Sequence, residues 1–131
     1  MASIPIGAQG TFTALVTSAD LANNFKDASL PAVLSTPVMI KMMENAALSA
    51  IRPLFDPGES AVGTAIAVRH LAATPVGRNV VAHAQVTHVE GRRIEFAVSA
   101  HDGEREIGSG THERVVIDLE RYTQRLKQQE P

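Results

Sequence analysis

The sequence predicts an α+β domain in which a curved antiparallel sheet wraps round one long helix. Three observations point there. One segment, within residues 33–51, has helical character. About four segments of period two follow it, joined by tight-turn signals, and one strand-like segment precedes it. No second crossover helix lies between the strands, as an open ferredoxin-like sheet would need. The 131 residues read as one domain, 1–131, long enough to bury a core but too short for two.

The elements follow in order. GTFTALVTS, residues 10–18, mixes β-branched and aromatic residues and reads as the first strand. A polar connection, ADLANNFKDASLPAVLS, has little periodicity. In the helix, Thr36 is read as the N-cap and Pro37 as the first helical residue, where a missing N–H costs nothing. The helix is expected to end near Pro53, with turn chemistry in LFDPGES after it. Residues 61–72 alternate and put Val62, Thr64, Ile66, Val68 and His70 on one face. ATPVG breaks the pattern, residues 78–89 form the next strand, and Glu90-Gly91 turns it into RRIEFAVSAH. Asp102-Gly103 then turns into REIGSGTHERVVID, and DLERYTQRLKQ reads as a short terminal helix. A small Met/Ala helix surface packs closely into a curved sheet, so the order points to the hot-dog fold.

Composition excludes several function classes. Apolar residues make up 44% and charged residues 20%, an ordinary globular balance. A net charge of −2 with no basic block argues against nucleic acid or a membrane surface as partner. No apolar run approaches the ~20 residues that span a bilayer. The start, MASIPIGAQG, lacks the charged-then-apolar pattern of a secretion signal, and with no cysteine the expected location is the cytoplasm. Five histidines are present, but none has compact metal-ligand spacing, so no metal or other cofactor is expected.

The chemistry-bearing residues begin with Glu44. On a helical wheel Lys41, Asn45 and Ser49 form a polar stripe, opposite an arc of Val38, Met39, Met42, Met43, Ala46, Ala47 and Ala50. Glu44 lies off that stripe, roughly 20–40° from Ile40, Leu48 and Ile51. It is either an edge carboxylate paired with Lys41 or a half-buried one facing a cleft, poised for base or nucleophile work. Thr36 is either a cap or a hydroxyl at a helix N-terminus, where backbone N–H groups favour a developing oxyanion. Eight residues separate the two, about 12 Å along the axis, so any joint action needs a cleft or a subunit boundary. His70 ends a strand beside Arg69 and a Gly/Pro loop, where functional groups are often mounted.

TPVMIKMMENAA, VGTAIAVRHLAATPVG and THERVVID together resemble the fluoroacetyl-CoA-thioesterase-like branch of the hot-dog superfamily, over residues 10–125. The joint spacing carries the resemblance: Thr-Pro at a helix start, a glutamate eight residues on, and a V-x-H-L strand end 26 residues later. It implies a homodimer, or a dimer of dimers, that hydrolyses acyl-CoA thioesters at the dimer interface. It assigns Thr36, Glu44 and His70 to catalysis and matches Gly63 and Arg114 to family positions near the substrate. Family members that recognise the fluoroacetyl group carry an aromatic-rich segment before the Thr-Pro. Here that segment is NNFKDASLPAVLS, with Phe25 as its one aromatic residue, so the resemblance carries the reaction class and not that acyl group. The alternative is a non-catalytic acyl-CoA-binding hot-dog module. A hydratase reading lacks its Asp-x-x-x-x-His arrangement.

Overall fold

A computed structural model describes residues 3–103 and 105–129 of the chain. Strand β1 (Gln9–Leu15) leads through a 3₁₀ turn (Ser18–Asp20) and a short helix α1 (Ala22–Phe25) to the long helix α2 (Thr36–Ile51). A second 3₁₀ turn (Arg52–Leu54) precedes β2 (Glu59–His70), β3 (Asn79–Glu90), β4 (Arg93–Asp102), β5 (Arg105–Asp118) and the terminal helix α3 (Leu119–Gln129). The five strands form one antiparallel sheet in the order β1-β3-β4-β5-β2. α2 lies across one face, chiefly over β1 and β3. This is the predicted hot-dog architecture.

Small residues set how close helix and sheet lie. A Cβ at Gly10 would collide with the Ala46 carbonyl and the Ala50 backbone, so glycine on β1 lets α2 seat directly on the strand. Met39, Met42, Met43, Ala46, Ala47, Ala50 and Ile51 are buried, the apolar arc of the wheel extended by Ile51, with Val38 only partly buried. Opposite them, β3 buries Val80, Ala82, Ala84 and Val86, and β4 buries Ile94, Phe96, Val98 and Ala100. This strict alternation leaves the other sheet face to polar and small residues. Gly91, at φ 60°, supplies the left-handed geometry that the β3–β4 hairpin needs.

The structure corrects three expectations. The N-cap is Ser35, with extended φ −75° and ψ 147°, not Thr36, and its hydroxyl makes no capping bond. The polar connection read as having little periodicity holds a 3₁₀ turn and α1, pinned by a Leu21–Leu34 bridge that the pattern did not reveal. Third, β2 does not present one face from 62 to 70. Gly63 pairs with Arg114 but Ala65 with Glu113, so a bulge falls between them and reverses the alternation. Ala61 and Gly63 face α2 before the bulge, whereas Val68 and His70 do so after it.

Candidate active site

The predicted residues fall into two clusters along α2. At its N-terminus, freed from capping, Thr36 Oγ1 lies 2.8 Å from His70 Nδ1, so the last residue of β2 is tied to the first turn of the helix. Burial disfavours the His70 cation and pulls its pKa below the usual histidine value, opposed in part by the Ala72 carbonyl. His70 Nε2 is buried and has no hydrogen-bond partner among the described residues.

Two turns further along, Glu44 is half-exposed, with its side chain 40% accessible. Its ionic partner is Arg114 of β5 rather than Lys41, with Oε2 3.7 Å from Nη1. Arg114 is buried, which disfavours its charge, while Glu44 works in the opposite direction. A Cβ on Gly63 would stand 2.9 Å from Glu44 Oε2 and 3.6 Å from Arg114 Nη1, so the carboxylate rests directly over the glycine. Glu44, Gly63, Thr64, Ala65, Ile66 and His112 line a concavity of about 280 Å³ at the β2 edge of the sheet. The chain thus brings Thr36 to His70, and Glu44 to Gly63 and Arg114. Within one chain the two groups stay about 12 Å apart along α2.

His112 belongs to the second cluster and was not singled out from the sequence. Its Nδ1 lies 2.8 Å from the Ala65 carbonyl oxygen, its Nε2 lies 3.2 Å from Arg114 Nη1, and its ring stacks on Phe96. The alternation that buries His112, Arg114 and Val116 was present in THERVVID, but Val115 and Ile117 made the opposite phase equally apolar. Among the described residues no cluster of three or more acidic, histidine or cysteine side chains could hold a metal ion. No helix there is long and apolar enough to cross a membrane.

The fold, taken with comparisons against known proteins, defines a thioester hydrolase of the hot-dog class. The family model described as fluoroacetyl-CoA-specific thioesterase matches residues 16–120, and the chain belongs to that family. It is 50% identical over 104 residues to the fluoroacetyl-CoA thioesterase of Streptantibioticus cattleyicolor, covering 79% of this chain and 75% of that protein. A solved structure of a fluoroacetyl-CoA thioesterase superposes with a TM-score of 0.91 at 41% identity, covering 98% of this chain and 99% of that one. A Thermus thermophilus protein described as a thioesterase superfamily member has a TM-score of 0.88 at 30% identity, over 98% and 96% of the two chains.

Proposed function

We propose that the chain hydrolyses a small acyl-CoA thioester at a site built from Thr36, Glu44 and His70, with Gly63 and Arg114 shaping the carboxylate end. The observation that carries the reading is the Glu44 carboxylate, held over a glycine beside Arg114 at the mouth of an open concavity. A surface ion pair has no need of a strand glycine against its oxygen. Glu44 delivers the attacking oxygen to the thioester carbonyl, either that of a water it deprotonates, giving the acid directly, or its own, through an anhydride that water then cleaves to the acid and the free carboxylate. The C–S bond breaks and the CoA thiolate takes up a proton through His70, resupplied from the water that is consumed; burial disfavours a standing charge on that ring. Thr36 orients His70, and N–H groups at the start of α2 receive the oxyanion.

A homodimer follows from the same reading. β2 is an edge strand of twelve residues, and its stretch from Gly63 to Ala67 is exposed and uncharged. An uncharged edge of this length is a ready template for pairing. A second copy added antiparallel about a twofold between Ile66 and Ala67 would set the partner subunit's His70 opposite Gly63, uniting the two clusters across the boundary. The acyl group stays open to test, because the segment before Thr36 carries Asp27 and Leu30 in place of an aromatic-rich one.

The test is thiol release from a panel of short, branched and aryl-acetyl CoA esters, fluoroacetyl-CoA included, with wild type, Glu44→Ala and His70→Ala. Turnover by wild type and its loss in both variants is the expected result. No turnover of any ester, or fully active variants, sinks the proposal. Tight binding by calorimetry without thiol release would instead favour a non-catalytic binding module.

A further inference from the structure

We infer that His112 is a positioning residue, held as the neutral Nδ1–H tautomer so that its Nε2 fixes the Arg114 guanidinium over Gly63 and against Glu44. The kinetic consequence rests on the proposed hydrolase reading, while the tautomer rests on geometry alone.

Both ring nitrogens are assigned by their partners. The Ala65 carbonyl can only accept, so the Nδ1 at 2.8 Å from it carries the proton. Arg114 Nη1 can only donate, so the Nε2 at 3.2 Å presents its lone pair. A proton on Nε2 would set two N–H groups, and two positive charges, against each other. The ring cannot turn away easily. It is 3% exposed and stacked on Phe96 of β4, with centroids 5.8 Å apart and planes 26° from parallel.

The β2 bulge explains why a side chain is needed there. The irregularity between Gly63 and Ala65 interrupts the β2–β5 ladder, and the His112 ring meets the Ala65 carbonyl. Arg114 Nη2 donates to the Ala61 carbonyl at 2.7 Å on the other side of the bulge. The guanidinium is therefore gripped from both flanks of Gly63, directly by Ala61 and through His112 by Ala65. With the fork so held, Nη1 has one direction left, toward Glu44 Oε2.

The groups facing the ring favour neutrality on balance. Burial is the largest influence and lowers its pKa; Arg114 adds to this, while the Ala65 carbonyl, Glu44 from α2 and Glu113 from β5 oppose it. Glu113 is itself bonded to Thr64 and Arg93, and on β4 Glu95 also bonds Arg93.

The test has two arms on the full-length chain. In the first, ¹⁵N-labelled histidine is read by NMR through a pH titration. His112 is expected as the Nδ1–H form, neutral as pH falls through the ordinary histidine range. An Nε2–H ring, or ordinary titration, overturns the inference. In the second, His112→Phe keeps the stack but offers no acceptor, and His112→Gln offers an amide acceptor and donor that does not titrate. His112→Phe is expected to lose on the order of 10–100-fold in kcat, as a buried donor left unpaired implies, with melting temperature reported alongside. His112→Gln should recover most of that loss, with the acid limb of kcat unchanged. Wild-type kcat in the Phe variant overturns the inference, and so does a Gln variant that folds but recovers nothing. A wild-type chain that turns over no acyl-CoA sinks the proposed function, and the tautomer arm still decides this inference.

Discussion

Gly63→Ala separates site geometry from stability. Gly63 does not lie at positive φ, so alanine suits its backbone, and the change should not strain the chain. The new Cβ would sit 2.9 Å from Glu44 Oε2 and 3.3 Å from His112 Cε1. Ordinary contact needs roughly 3.5 Å, so the carboxylate must retreat by about half an ångström or more. Glu44 can do this cheaply, because its half-exposed side chain is flexible. Folding stability should therefore change by no more than about 1 kcal/mol. Activity should not escape so lightly. A misplacement of 1 Å at a reacting group costs ~10²-fold, so about half that shift should lower kcat/KM roughly 10-fold. Gly110→Ala is the control. Its Cβ would meet the Ala67 carbonyl and the Val68 backbone, which cannot swing aside, and about 1–3 kcal/mol of destabilisation is expected. Thiol release and thermal denaturation on both variants decide the matter. A Gly63→Ala protein with wild-type kcat/KM would refute the reasoning, and so would one whose activity falls only as far as its folded fraction.

Further outcomes follow from the same geometry. Ser35→Ala should not lower the melting temperature and can raise it, because the buried cap hydroxyl makes no bond, whereas a working cap costs about 1 kcal/mol to remove. Thr36→Ala should cost under ~1.5 kcal/mol yet reduce kcat, since the lost bond is the one to His70; equal effects on both would count against a role in catalysis. Stability should depend on pH in a defined direction. His70 and His112 are held below the unfolded histidine value, so the unfolded chain binds their protons more tightly. Their contribution is full above that value and is lost as pH falls through it toward the folded values. Melting temperatures from pH 8 to 5 should drop, and less so in His112→Gln; a flat profile contradicts this. Ile66→Lys places a charge on the exposed β2 edge, and should yield a monomer by sedimentation together with loss of thiol release; an active dimer would argue against pairing there.

The sequence by itself determined what periodicity can carry. Helix α2 and its buried arc were legible because Met39, Met43, Ala46, Ala47 and Ala50 recur at helical spacing, and only one face can meet a sheet. The hairpins were legible because Glu90-Gly91 and Asp102-Gly103 interrupt alternating runs. Glu44 was conspicuous because it lay off the polar stripe, and the family resemblance implied a shared role with Thr36 and His70. Tertiary structure alone decided where those residues stand. Gly63 and His70 are an odd number of positions apart, so an unbroken strand would point them to opposite faces. One extra residue in the β2–β5 ladder turns both toward α2, and a bulge leaves no dependable mark in the letters around it. The resemblance placed Arg114 near the substrate, but its pairing with Glu44 was not legible in the local pattern. Arg114 and His112 arrive from β5, far along the chain, and their inward phase is set by strand pairing rather than by local hydrophobicity. Local rules choose the elements; the register between them chooses which side chains meet.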